Sequence, residues 1–376
     1  MWQHLVVAAA ALAVTAMLTP VVISLARRLG ALDRPGGPRK VHRFATPTLG
    51  GLAMLAGFLG AIVVASQLGE FGPLFENTSE PLALLVGALV IVAIGIADDL
   101  IGLPPTVKLA GQIVAALVVA VFGIQLTYFW IPGWDLVVLS GDLGLPLTVL
   151  ALVAMVNAVN LIDGLDGLAA GVTTIAGTAF FLFTLRGDLR EDVPASASLV
   201  AVIVVGVSVG FLLYNWHPAR IFMGDTGAML LGLLLGAAGV SWVGRGTDPS
   251  TVEFYGAMPL LIPALVLAVP LLDAVYAVLR RLLRRSPVAL ADREHVHHRL
   301  LRMGHSHRRT VLILYYWSAV AAFGSVAPVF VPLGRIIPWG IGAGALGVIL
   351  TVAGTQRPSP PGIRTAPPQQ RLTGSD

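Results

Sequence analysis

Long apolar runs alternate with short polar loops along almost the whole chain. A membrane-spanning helix needs about 20 predominantly apolar residues. About eleven runs meet that length, near 3–26, 49–67, 82–97, 107–124, 145–162, 168–185, 195–214, 226–243, 256–279, 310–330 and 335–354. The pattern predicts an all-α, polytopic membrane protein with about 11 transmembrane helices. One integral membrane domain would cover 1–354, and a Pro-, Gln- and Ser-rich tail over 355–376 reads as disordered and cytoplasmic. The first run does not read as a signal peptide, because no positive charge precedes it and arginines follow it.

Composition agrees with that pattern. Of the 376 residues, 56% are hydrophobic and 12% charged, with a mean hydropathy of +0.85, which excludes an ordinary soluble globule. There is no cysteine, so disulfides and thiolate metal sites are excluded as well. The 24 basic residues decide orientation: placing Arg27, Arg28, Arg34, Arg39, Lys40 and Arg43 in the cytoplasm leaves only Arg186, Arg190, Arg245 and Arg335 outside. With an odd number of spans, the N-terminus is then outside and the C-terminus cytoplasmic.

Five polar clusters fall on that same basic side. The first is Arg39-Lys-Val-His-Arg-Phe-Ala-Thr-Pro-Thr-Leu-Gly-Gly51, where basic residues before a Pro/Gly turn suit a phosphate and equally suit a stop-transfer anchor. The second is Asp98-Asp99 at the inner end of the third run, followed by Lys108. Adjacent carboxylates repel, so a pair at a membrane edge suggests a cation partner, with Mg²⁺ the economical one for oxygen ligands; a lone Asp-Asp is usually just a solvated helix end, so by itself the pair is a weak signal.

The third cluster, Asn157–Gly171, is the richest. Asn157, Asn160 and Asp163 are spaced three apart on one helix face. Gly164 and Gly167 then let the backbone turn around Asp166. A polar helix cap needs one such residue, whereas this stretch has four, each costly to bury without partners. The fourth cluster is Asn215-Trp-His-Pro-Ala-Arg-Ile-Phe-Met-Gly-Asp-Thr-Gly227, in which Asp225 has the place of an N-cap and Phe222 that of an interfacial aromatic.

In the fifth, Arg280, Arg281, Arg284 and Arg285 suit anionic headgroups, and His295-Val-His-His-Arg-Leu-Leu301 follows. His295, His298 and Arg299 share a helix face, and the arginine favours an anion over zinc. His305 and His307 read as solvated, and Asp273 as the partner of Arg280. The outer loops carry little chemistry: 68–81 is acidic, and 124–144 is an apolar stretch with Tyr128, Phe129, Trp130 and Trp134 that reads as a hairpin at the interface.

These five loops, in this order, resemble the polyprenyl-phosphate N-acetylhexosamine-1-phosphate transferase family. The residues that carry the resemblance are Lys40–Gly51, Asp98-Asp99 with Lys108, Asn157–Gly171, Ala219–Gly227 and His295–Leu301, together spanning about 260 of the 376 residues. The His-Val-His-His-Arg run is similar to the branch that transfers GlcNAc-1-phosphate. The muramoyl-pentapeptide branch carries three consecutive histidines, which Val296 interrupts here.

The resemblance implies that GlcNAc-1-phosphate passes from UDP-GlcNAc to undecaprenyl or decaprenyl phosphate, with release of UMP, as the first membrane step of cell-envelope glycopolymer synthesis. It implies Mg²⁺, or Mn²⁺ in its place, on the diphosphate, with Asp225 and Asp99 as metal ligands. Asp98, Asp99 and Asp163 would be catalytic, with Asp98 facing the lipid phosphate. Asn157 and Asn160 would line the phosphate site, Asp166 and Phe222 contact the uracil, Lys108, His297, His298 and Arg299 steady the diphosphate and sugar, and Lys40 and His42 belong to the substrate-binding set. The implied partners are UDP-GlcNAc, polyprenyl phosphate and the bilayer; no nucleic acid is implied, and a homodimer is compatible.

A lipid phosphate with a second pKa near 6 is largely a dianion at neutral pH. Direct attack on the β-phosphorus is therefore expected, with Asp98 as a positioning group or a base of raised pKa; an aspartyl-phosphate intermediate is the alternative. A nucleotide-sugar or lipid transporter is the competing class, but it would place polar groups near the bilayer midplane in repeated halves. No repeat is visible here.

Overall fold

In the computed structural model of the chain, residues 1–33, 45–130, 136–184, 195–243 and 296–353 are described, and most of them are helical. In chain order the elements are α1 (Trp2–Leu29), β1 (Leu32–Asp33), β2 (Thr46–Pro47), α2 (Gly51–Ser66), α3 (Gly72–Asn77), α4 (Glu80–Ile101), α5 (Pro105–Val121), β3 (Tyr128–Trp130), β4 (Leu136–Val138), α6 (Gly141–Ile162), α7 (Leu168–Thr184), α8 (Ala195–Asn215), α9 (Gly224–Val243), α10 (Val296–Arg302), α11 (His307–Phe330) and α12 (Leu333–Val352). Ten of the eleven apolar runs coincide with α1, α2, α4 to α9, α11 and α12. The run at 256–279 lies outside the described residues, as do Asp273 and Arg280.

Seven described helices, α1, α4, α6, α8, α9, α11 and α12, are long and apolar enough to cross a membrane, and α2, α5 and α7 are shorter apolar helices. The protein is therefore a helical, multi-pass membrane protein.

Helix α9 is the centre of the bundle. Its apolar stretch is 89% buried, against 6% for that of α12. Leu230, Leu231, Leu233, Leu234 and Leu235 are all enclosed, so the helix is apolar on every side and packed on every side. It lies against α2, α4, α6 and α8. Gly232 permits the approach to α6, because a Cβ there would lie 2.6 Å from the Val156 Cα. Around this centre α1 packs on α2 and α8, and α7 packs on α8 and α11. Helix α12 packs on α11 and leaves Trp339 and Ile341 exposed, as suits a helix facing hydrocarbon.

Strands β3 and β4 pair antiparallel, with Tyr128 opposite Val138, where the aromatic hairpin was expected. The pair β1–β2, Leu32 opposite Pro47, departs from the all-α expectation. Two residues with a proline carry no period-2 pattern, so sequence gives no strand signal there. The pair matters for the site. Beyond it, Phe222 N donates to Pro47 O (2.9 Å), Gly50 N to Phe222 O (3.0 Å) and Gly51 N to Met223 O (3.0 Å). The first and fourth polar loops are thus joined through their backbones at the start of α9.

Candidate active site

Four helix ends meet at one end of the bundle: the C-termini of α4 and α6 and the N-termini of α5 and α9. Adjacent residues on α4 send their carboxylates to different neighbours. Asp99 turns to α9: Oδ1 accepts from Asp225 N (2.9 Å), and Oδ2 from Thr226 N (3.2 Å) and Thr226 Oγ1 (2.6 Å). A carboxylate on the free N–H groups of a helix start is both a cap and a favourable partner for the helix dipole. The cap of α9 thus comes from another helix, which releases Asp225 from the N-cap place that sequence gave it. The approach requires small residues. Gly224 has φ 66°, and a Cβ on it would lie 2.4 Å from Asp99 Oδ2. A Cβ on Gly95 would meet the Thr226 Cα at 2.4 Å.

Asp98 turns to α5. Its Oδ1 accepts from Leu103 N (2.6 Å) and its Oδ2 faces Lys108 Nζ (2.9 Å). Lys108 also donates to Asp225 Oδ2. From α6, the Asn160 amide closes the ring when its oxygen faces the ammonium: it accepts from Lys108 Nζ (3.0 Å) and donates to Asp225 Oδ1 (2.8 Å). Asp163 ends α6 beside them. Burial pushes its carboxyl up to about 8, and the negative charges of Asp225, Asp99 and Asp166 add to that.

Asp166 stands one turn further on. Its Oδ2 accepts from His217 Nδ1 (2.6 Å) and Ala219 N (3.1 Å). The His217 ring stacks on His307, with centroids 4.0 Å apart and planes at 16°. Ligand atoms of Asp166, His217 and His307 fall within 4.8 Å of one another. Near-parallel rings, however, do not aim their in-plane lone pairs at one point, so this is a stack buttressing Asp166 and lacks the shape of a chelate.

The expectation that His305 and His307 are solvated is corrected. His307 carries the stack, and His305 is buried with Nε2 donating to Thr351 O (2.9 Å) at the end of α12. The helix end that covers His305 comes 46 residues later in the chain, beyond the reach of local reading.

The remaining expected residues are placed unevenly. Asn157 faces α5, where its Nδ2 donates to Gln112 Oε1 (2.7 Å) and to Val153 O (2.8 Å). Phe222 is half-buried, with its backbone in the loop junction. Arg299 is exposed on α10. His297 and His298 lie on the same short helix, with side chains outside the described set; Lys40, His42 and His295 lie outside the described residues altogether.

Three residues that support the site carry no local signal of that role in the sequence. Gln112 is buried and holds Asn157. Buried Asn215 accepts from Gly167 N (2.9 Å) and donates to Ile221 O (2.9 Å), tying the Asp163–Gly167 turn to the loop before α9. Tyr315 donates to Gly167 O. Asn215 opened the fourth polar cluster, but its two partners are visible only in three dimensions.

The profile of glycosyl transferase family 4 matches residues 81–243. The decaprenyl-phosphate N-acetylglucosaminephosphotransferase of Mycobacterium tuberculosis (strain ATCC 25618 / H37Rv) is 39% identical over 351 residues, covering 87% of this chain and 85% of that protein. The chain belongs to glycosyl transferase family 4. The probable undecaprenyl-phosphate N-acetylglucosaminyl 1-phosphate transferase of Bacillus subtilis (strain 168) is 36% identical over 299 residues, 80% of this chain and 77% of the relative. The phospho-N-acetylmuramoyl-pentapeptide-transferase of Desulforudis audaxviator (strain MP104C) is 36% identical over 346 residues, 85% and 96% respectively. The segment matched in this family 4 transferase contains Asp98, Asp99, Lys108, Asn157, Asn160, Asp163, Asp166 and Asp225.

The donor set of the transferase fits a hard divalent cation. Asp98, Asp225 and the Asn160 oxygen already surround one positive charge, the Lys108 ammonium. All three offer oxygen, which Mg²⁺ and Mn²⁺ prefer. Lys108 is the one cation in contact with these carboxylates among the described residues.

Proposed function

We propose that this transferase moves GlcNAc-1-phosphate from UDP-GlcNAc to a membrane polyprenyl phosphate, forming polyprenyl-diphospho-GlcNAc and UMP. The observation that carries the reading is the ring of Asp98, Lys108, Asn160 and Asp225 at one end of the bundle, in a chain whose relatives are named for that transfer. A transporter would need polar groups at mid-membrane; here they gather where helices end.

Bound Mg²⁺ would neutralise the diphosphate and the charge that develops as the bond breaks. Asp225, Asp98 and Asn160 would hold it. Asp99, with both oxygens on α9, serves as the residue that positions Asp225. Asp166 keeps Oδ1 for the N–H of a pyrimidine while His217 and Ala219 fix Oδ2. Both Asp98 oxygens are engaged, by Leu103 N and Lys108, which favours a positioning role over that of a base. The lipid phosphate dianion then attacks the β-phosphorus directly, and UMP leaves. Basic-residue distribution supports a cytoplasmic site, an outer N-terminus and a cytoplasmic C-terminus.

The decisive assay compares UDP-GlcNAc, UDP-GalNAc and UDP-MurNAc-pentapeptide as donors, with polyprenyl phosphate, for UMP release by purified protein. UMP from UDP-GlcNAc alone, lost in EDTA and lost by several orders of magnitude in Asp225→Ala, is the expected result. Turnover of the pentapeptide donor would instead place the chain with the Desulforudis relative. No UMP from any donor would refute the transferase reading. UMP exchange into UDP-GlcNAc without lipid would replace direct attack by the covalent route.

A further inference from the structure

The ammonium of Lys108 sits where the reading above needs a metal. It contacts Asp98 Oδ2 at 2.9 Å, Asp225 Oδ2, and the Asn160 amide oxygen at 3.0 Å. Two carboxylates and an amide oxygen around one cation form a good site for either an ammonium or a divalent ion, and like charges that close repel strongly outside bulk water. Holding both on these oxygens at once is therefore disfavoured. Lys108 lies in the first turns of α5 on a flexible four-carbon stem, so its charged end can move with no change in the helix.

We propose that Lys108 is a displaceable counter-ion. In the substrate-free transferase it holds Asp98, Asn160 and Asp225 together. Arrival of the divalent cation drives its ammonium off those carboxylates, and the diphosphate of the donor, arriving with the metal, gives it a new anionic partner. The proposal rests on the metal-dependent reading above. It assigns Lys108 two successive positions, and it makes metal affinity in the absence of nucleotide weaker than the oxygen donors alone would give.

Mn²⁺ binding to the full-length protein in nanodiscs, measured by electron paramagnetic resonance without substrate, tests this separately from activity. Lys108→Met should bind Mn²⁺ at least about tenfold more tightly than the wild type, within the usual range for coupling between two ligands. Lys108→Arg, which keeps the charge and adds a fork that grips carboxylates, should bind Mn²⁺ no more tightly than the wild type. Equal or weaker binding by Lys108→Met in protein that melts cooperatively, or tighter binding by Lys108→Arg, overturns the displacement. If Lys108→Met does not fold, Lys108→Gln replaces it with the same expectation. Asp225→Asn should lose Mn²⁺. Wild-type affinity in Asp225→Asn would overturn the metal reading itself, whatever the lysine variants do.

Discussion

Asp163 offers a quantitative test, because its carboxyl is pushed up to about 8 by burial and by the charges of Asp225, Asp99 and Asp166. Without metal it carries a proton at neutral pH; a divalent cation held by the neighbouring Asp225 would favour its ionised form, so metal binding is expected to expel that proton. A single group with that pKa makes apparent Mg²⁺ affinity rise about 25-fold between pH 6.5 and 8.5 and then level off. Close to one proton leaves per metal at pH 6.5, and about a quarter of one at pH 8.5. The same shift acts on the fold with the opposite sign to a salt-bridged acid. Because the folded-state pKa lies above the ordinary 3.8, this group makes the metal-free protein less stable as pH rises from about 4 to about 8, with no further loss above. Mg²⁺ should therefore raise the melting temperature more at pH 8.5 than at pH 6.5. Isothermal titration in two buffers of different ionisation enthalpy counts the protons. Asp163→Asn should release clearly fewer protons than the wild type and show a much shallower rise of metal affinity with pH. Wild-type affinity that is flat with pH, or Asp163→Asn releasing as many protons as the wild type, would refute the assignment.

Removing the Asp99 cap should cost about 1–3 kcal/mol, since Asp225 N and Thr226 N lose their acceptor. Melting temperature should fall further in Asp99→Ala than in Asp99→Asn, and Asp99→Asn should still bind Mn²⁺; loss of Mn²⁺ there would make Asp99 a ligand after all. Asn215→Ala leaves Gly167 N and Ile221 O without their partner in a buried place, at a cost of about 1–3 kcal/mol for each orphaned group. Donor KM should rise more than kcat falls, and an unchanged KM would remove Asn215 from the support of the nucleotide site. For topology, a cysteine at Gln67 should react with an impermeant thiol reagent from outside intact cells and one at Met303 should not, against no native cysteine background; the reverse pattern would invert the site.

The helices were legible because bilayer spans announce themselves as apolar runs, and α1, α4 and α6 fall close to where those runs predict them. The polar clusters were legible too, since an amide or carboxylate beside such a run stands out. Their partners were not. Spacing put Asn157 and Asn160 on one face, yet Asn157 lies almost a turn deeper and meets Gln112, while Asn160 reaches Lys108. His305 and His307 looked like loop histidines because nothing local says that Thr351 O and the His217 ring will cover them. The β1–β2 pair is too short to have a period at all.

The Asp98-Asp99 pair shows what sequence leaves undivided. Two adjacent carboxylates read as a single motif with a single task. On a helix of 3.6 residues per turn, neighbours point about 100° apart, so two adjacent carboxylates are suited to different partners. Asp99 takes the direction of α9 and spends both oxygens on the first N–H groups there. Asp98 takes the direction of α5 and meets the lysine. One helix end therefore fixes Asp225 of another helix and contributes an acid of its own. The position of Asp225 relative to Asp98 is then set by the rigid stack of α4 on α9, with Gly95 and Gly224 allowing the contact. A larger residue at Gly95 should accordingly separate the two carboxylates and weaken Mn²⁺ binding while leaving every acid in place. Gly95→Ala is the smallest such change, and unchanged Mn²⁺ affinity in a stably folded Gly95→Ala protein would show that the helix contact does not set the site.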